Sequence, residues 1–241
     1  MQTCPQAYEL SLSLDSMTVS AVRPEPSSPW HPVMFDMDGT LIDSAPAILR
    51  RLRETLEHYA VEPPADAALI HYIGPPIRTT LTDFIDANHV DEAVTFYRGL
   101  SARDGLDRQR LFHGIPEFLA TLANVDVPLA VASSKPQHEI EHILRFFDIA
   151  DYFTAAVGSS EARNNKAQVV NEALRLLGRT KTSPALMVGD RVWDIEGAAA
   201  HNVPTVLVSW GYAAAGEEQA AIAHVTTVND LTDFILNGSQ P

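Results

Sequence analysis

The segment His31-Pro32-Val33-Met34-Phe35-Asp36-Met37-Asp38-Gly39-Thr40-Leu41 constrains this chain more than any other. An apolar run leads straight into two carboxylates placed two apart, and then into a Gly-Thr turn. If Val33 to Phe35 is a buried strand, Asp36 and Asp38 stand at its C-terminal end, where open α/β sheets bind their ligands. Met37 between them lets both carboxyl groups reach one site as the strand breaks into a loop, and Gly39 permits the tight turn that follows. The arrangement is that of a carboxylate nucleophile beside a carboxylic general acid. A plain acidic turn has the same local pattern. A calcium loop does not fit, because it needs further oxygen ligands and a Glu within twelve residues, whereas Leu41, Ile42 and a helical pattern follow here.

The 241 residues, 46% of them hydrophobic, supply enough material for one large domain or two unequal ones. No apolar run approaches the roughly 20 residues that span a bilayer, and residues 1–30 lack the pattern of a secretory signal. Cys4 is the sole cysteine, which fits a reducing compartment. A cytoplasmic protein without membrane contact is therefore expected. With 17 basic and 31 acidic residues the formal charge is -14, which argues against nucleic-acid partners. A phosphate site on such a chain must be locally positive, through a metal ion and a few chosen cations. Lysine occurs only at 135, 166 and 181, and the first two fall in the motifs below.

Residues 1–29 are Ser- and Pro-rich without periodicity and read as a disordered extension, or as sequence upstream of a true start at Met17. From Ala45 to Ala60, Ile48, Leu49, Leu52, Leu56 and Tyr59 recur at helical spacing. Further helices are predicted around 65–73, 77–88 and 91–103, with Gly74-Pro75-Pro76 as a break, and no strand is expected between Ala47 and about Phe112. The pattern then alternates: strands at 127–133, 153–158, 185–188 and 205–208, helices at 137–147, 167–177 and 194–202. Alternation of this kind implies right-handed crossovers and a parallel sheet. The expected architecture is a doubly wound, Rossmann-like α/β core (30–45 and 113–241) with an all-helical cap (46–112) inserted early.

Three later stations also sit at strand ends. Ser133 and Ser134 follow Leu129-Ala130-Val131-Ala132 and precede Lys135-Pro136 and a helix, so a hydroxyl and helix-terminal amides could hold phosphate oxygens; an ordinary Ser cap before a helix has the same sequence. Lys166 opens the next helix, where its compact charge could lie between Asp36 and a phosphate; a solvated lysine is the simpler alternative. Val188-Gly189-Asp190-Arg191-Val192-Trp193-Asp194 carries a strand into two acids four apart, which can face the same cleft as Asp36. A few carboxylate oxygens with water is how proteins hold Mg²⁺, although Asp194 also suits a helix N-terminus on electrostatic grounds alone.

Taken together, Phe35 to Ser44, Ala132 to Pro136, Asn165-Lys166-Ala167 and Val188 to Asp194 make the chain resemble the haloacid dehalogenase superfamily. Within it, the resemblance is to phosphoglycolate phosphatases and the related nucleotide and sugar-phosphate phosphatases. That resemblance implies that Asp36 attacks phosphorus to give an aspartyl-phosphate, while Asp38 protonates the leaving alcohol and later deprotonates water. It implies phosphate contacts from Ser133, Ser134 and Lys166, with Gly39 and Thr40 of the first turn as further candidates. Mg²⁺ would be held by Asp36, the Asp38 carbonyl and Asp190, with Asp194 in support. The helical block would be a cap that closes over the site and excludes water, and Arg78 is the candidate for an anionic group on a small phosphorylated metabolite. A dehalogenase needs no acid at Asp38. A phosphosugar mutase would keep every core residue, and a non-catalytic phosphate-binding regulator would be expected to have lost one.

Overall fold

The computed structural model describes residues 28–178 and 184–238. The expectation for residues 1–29 therefore lies outside the described residues except at Ser28 and Pro29. There the chain is already tied down: Ser28 Oγ donates to the Ile235 carbonyl (2.6 Å) and Trp30 stacks on Phe234.

Eight strands and nine α-helices are described. β1 (Val33–Phe35) and β2 (Ile42–Asp43) precede α1 (Ala45–His58), α2 (Asp66–Leu69), α3 (Ile77–Thr82) and α4 (Val90–Asp104). β3 (Arg110–Leu111) and α5 (Ile115–Ala123) lead back to β4 (Leu129–Pro136), α6 (Gln137–Phe146), β5 (Ala155–Ser159) and α7 (Lys166–Leu176). β6 (Leu186–Gly189), α8 (Val192–Ala199), β7 (Thr205–Val208), β8 (Ala223–Val225) and α9 (Val228–Asn237) complete the chain.

The main sheet is six-stranded and parallel in the order β5-β4-β1-β6-β7-β8. Its strands are covered on both faces, as parallel sheets require. Because side chains alternate along a strand, Val33 and Phe35 point to one face and Met34 to the other. The first face joins Val131, Leu186 and Val188 to Phe118 and Leu119 of α5, Ile140 and Ile143 of α6, and Leu231 and Phe234 of α9. The second joins Met34, Ala130 and Met187 to Val169, Val170 and Ala173 of α7 and Ala198 of α8. The chain's crossovers change direction beside β1, so the C-terminal ends of β4, β1 and β6 open into one crevice.

The helical block between β2 and β3 has its own apolar centre, with Leu52, Leu56, Leu69, Leu81 and Ala93 fully buried. Full burial of a leucine contributes roughly 1.5–3 kcal/mol, so this block carries its own stability. Tyr212 of the α/β core enters the same cluster and joins the two regions.

The elements differ from expectation at a few places. β2 pairs antiparallel with β3, bracketing the helical block; each strand is two residues long, too short for periodicity to register. The helix expected over 77–88 stops at Thr82, and the Asp86 carboxylate then accepts the Asn88 amide (2.9 Å), a turn that competes with helix. β8 and α9 extend the sheet and its first face beyond the expected elements.

Candidate active site

The site begins with backbone geometry. The Asp36 amide donates to the Val188 carbonyl (2.9 Å), locking the end of β1 to β6. The chain then turns back so that Gly39 N reaches the Ile42 carbonyl (2.9 Å). Gly39 adopts φ +80°, and a Cβ there would lie 2.1 Å from Asp190 Oδ2, so both conformation and space call for glycine. Thr40 is buried in this turn with its hydroxyl unpartnered, while its carbonyl accepts the Trp210 indole N–H (3.1 Å).

Lys166, the first residue of α7, is 8% exposed and is clamped between two carboxylates. Its Nζ lies 2.7 Å from Asp36 Oδ1 and 2.5 Å from Asp194 Oδ1. The other oxygen of Asp194 accepts the backbone amides of Asp190 and Arg191, both at 3.1 Å. Asp194 thus closes the first turn of α8 onto the end of β6, with both its oxygens engaged. Asp190 differs: Oδ2 accepts the Tyr212 amide (2.7 Å), but Oδ1 is buried without a partner. Ser133 is buried at the end of the buried part of β4 and Ser134 is half-buried beside it.

These groups perturb one another. Burial, the Asp194 charge and the Asp38 charge push the Asp36 carboxyl up from 3.8 to about 6, against the pull of Lys166. Asp190 is raised well above the usual carboxylate range by burial and then by Asp194 and Asp36. Burial alone would depress Lys166, but Asp194 and Asp36 outweigh it and hold the ammonium charged. Oxygens of Asp36, Asp190 and Asp194 lie within 4.8 Å of one another. Hard oxygen donors crowded at high electrostatic cost, one of them unpartnered, suit a divalent cation.

Asp38 faces a second cation. Lys135 Nζ lies 3.1 Å from Asp38 Oδ2, and Asp38 Oδ1 is left buried and unpartnered. Arg78, by contrast, turns to Asp91 in a close ion pair on the exposed surface of the helical block, so its charge is already matched there.

Three residues near this centre were given no catalytic or binding role by the sequence. Lys135 was marked by the scarcity of lysine and by its place after Ser133-Ser134 in a strand-end motif. Arg191 is buried and its guanidinium spans from Glu217 (3.0 Å) to the carbonyls of His71 (3.0 Å) and Ile73 in the helical block. Tyr212 holds Asp190 through its amide, while its hydroxyl accepts the Ser44 and Ala45 amides (2.9 and 3.0 Å) at the start of α1. A buried Arg directly after the Gly-Asp turn, and an aromatic four residues past a strand, are the sequence signals; neither specifies its partners.

A doubly wound α/β protein with a carboxylate at the end of its central strand, a lysine beside it and a crowded acidic cluster defines a class of phosphoryl-handling enzymes. Residues 33–208 match the model of the haloacid dehalogenase-like hydrolase family, and the chain belongs to that family. It is similar to the tyrosine-protein kinase PtkA of Mycobacterium tuberculosis, 37% identical over 209 residues, covering 84% of this chain and 72% of that protein. It is similar also to a 5'-nucleotidase of Pseudomonas aeruginosa, 34% identical over 199 residues, covering 81% and 88%. Among solved structures, one from Clostridium acetobutylicum described as a predicted phosphatase superposes with a TM-score of 0.80 at 31% identity, covering 86% of this chain and 98% of that one. The chain is an enzyme of the family's phosphatase kind. Among the described residues no helix is long and apolar enough to cross a membrane.

Proposed function

We propose that the chain is a Mg²⁺-dependent phosphatase that hydrolyses small phosphate monoesters through an aspartyl-phosphate on Asp36. The observation that carries the reading is the placement of one carboxylate against Lys166 and of another, two residues on, with a buried oxygen that has no partner within the protein. In the first step an Asp36 oxygen attacks phosphorus, the bond from phosphorus to the ester oxygen breaks, and Asp38 delivers its proton to that oxygen. In the second, Asp38 takes a proton from water, the water oxygen attacks phosphorus, and phosphate leaves with the Asp36 carboxylate restored.

Like charges oppose the approach of a carboxylate to a phosphate dianion, and Lys166 offsets part of that repulsion. Asp36, Asp190 and the Asp38 backbone would hold Mg²⁺, with Asp194 fixing the loop, and the ion would supply further charge neutralisation at the phosphoryl oxygens. Ser133, Ser134, Gly39 and Thr40 are the proposed phosphoryl contacts. The helical block, 46–112 in this reading, would act as the cap that closes over the site and excludes bulk water during transfer of the phosphoryl group to Asp36.

The test is phosphate release from a panel of glycerol phosphate, hexose phosphates, nucleoside monophosphates, phosphoglycolate and an aryl phosphate, with Mg²⁺ and with EDTA. Release with Mg²⁺ that EDTA abolishes, and that Asp36→Asn removes while leaving the fold intact, is the expected result. Silence across the panel with Mg²⁺, or full turnover by Asp36→Asn, overturns the reading.

A further inference from the structure

Resting on that phosphatase reading, we propose that Lys135, Glu139, Ser101 and Tyr97 form the pocket of the leaving group. We propose also that its charge balance selects uncharged, hydroxyl-bearing leaving groups of the sugar or nucleoside kind over anionic ones such as glycolate.

The four residues come from both sides of the crevice. Lys135 is the last residue but one of β4, and its side chain is 7% exposed. Its Nζ stands 3.1 Å from Asp38 Oδ2 and 3.7 Å from Glu139 Oε2, one helical turn further on in α6. The second acid of this site is therefore one lysine away from the proposed proton donor. From the helical block, Ser101 Oγ of α4 donates to the same Glu139 Oε2 (3.3 Å). Tyr97 lies one turn earlier on α4, hence on the same helix face, half-buried where it feels Lys135, Arg51, Glu139 and Asp38. Burial pushes its phenol up to about 12, which keeps it a hydrogen-bond donor. Asp38 Oδ1, the buried oxygen without a partner, marks where the ester oxygen must come.

The charges of this corner are spent on one another. One ammonium, Lys135, serves two carboxylates, Asp38 and Glu139. Of the other cations, Lys166 is matched by Asp36 and Asp194, Arg191 by Glu217 and Arg78 by Asp91, while Arg51 shares Asp104 with Arg50 and Arg103. An anionic leaving group would thus meet Glu139, whose ammonium partner Lys135 is shared with Asp38. A hydroxyl-bearing group meets instead an acceptor at Glu139 and hydroxyls at Ser101 and Tyr97, the groups that recognise alcohols.

The experiment compares kcat/KM for phosphoglycolate and for glycerol phosphate, with an aryl phosphate as a check on phosphoryl transfer itself. The native enzyme is expected to favour glycerol phosphate by about tenfold or more, and Glu139→Gln to raise the ratio of phosphoglycolate to glycerol phosphate about tenfold, whatever it does to either value alone. Glu139→Lys should move the ratio further in the same direction. A native enzyme that prefers phosphoglycolate, or a ratio that neither substitution moves, overturns the pocket while turnover of the aryl phosphate leaves the phosphatase reading standing. Absence of aryl phosphate turnover overturns both.

Discussion

Lys166 Nζ lies 2.7 Å from Asp36 Oδ1, at the meeting point of the first strand and the helix that follows the fifth. The ammonium is positioned by packing as well as by charge: a Cβ at Gly197 of α8 would lie 2.5 Å from Lys166 Cγ, so α8 approaches closely enough to limit the lysine's path. Held charged by Asp194 and Asp36 against its burial, it offers a fixed donor where negative charge gathers during phosphoryl transfer. Lys166→Met is expected to lower kcat by roughly 10²–10³-fold, the loss that follows removal of one such donor. Phosphate release under saturating substrate measures it. A loss below about threefold would remove Lys166 from the reaction.

The crowding that suits the site to a cation should be visible in stability without one. Burial first, and neighbouring carboxylates after it, raise Asp36 in the folded protein from 3.8 to about 6. A carboxyl with a raised folded pKa keeps its proton where the unfolded chain releases it. Stability therefore falls as pH rises from 3.8 to about 6, and the loss is complete above that. Asp36→Asn lacks this liability, and Lys166 keeps Asp194 as its partner. In EDTA, the variant should be more stable than the native protein at pH 7.5, by an order of 1–3 kcal/mol or several degrees in Tm. The gap should shrink toward pH 4.5. Paired thermal melts across this range check it; a variant that melts lower at pH 7.5 contradicts the assigned direction.

The strand-end pattern made much of this architecture readable beforehand, and the limits of that reading are physical. Val33-Met34-Phe35 before Asp36, and Leu186 to Gly189 before Asp190, are apolar runs that end abruptly in acid. The parallel sheet brings these ends together because β1 and β6 are neighbours. Lys166 was legible through its place at a helix start. The partners of Arg191 and Tyr212 were not, since they lie 118 to 120 and 167 to 168 residues away and depend on how the helical block docks. Arg78 shows the reverse limit: its position suggested a role toward substrate, but a neighbouring helix supplies Asp91. Glu139 stood four residues from Lys135 in plain view, yet its closeness to Asp38 becomes apparent only when the β4 end folds beside the β1 turn.

Arg191 joins the acidic turn to the helical block, which predicts a measurable coupling between them. Its Nε and Nη2 form a two-pronged pair with Glu217 (both 3.0 Å), and its Nη1 donates to the carbonyls of His71 and Ile73. The Glu217 carboxylate also accepts the Val192 amide (3.0 Å), so it braces the first turn of α8 at the same time. Lysine has neither the planar fork nor enough donors to satisfy these groups together. Arg191→Lys would leave buried acceptors unpaired, at a cost of roughly 1–3 kcal/mol, or several degrees for a chain of this size. The loss should be local as well as global: amide hydrogen exchange over 70–78 should speed up in Arg191→Lys, while the β1 and β6 amides remain protected relative to it. Uniform acceleration across the sheet would show that Arg191 supports the core as a whole. Unchanged exchange at 70–78 would show that the docking of this loop does not depend on it.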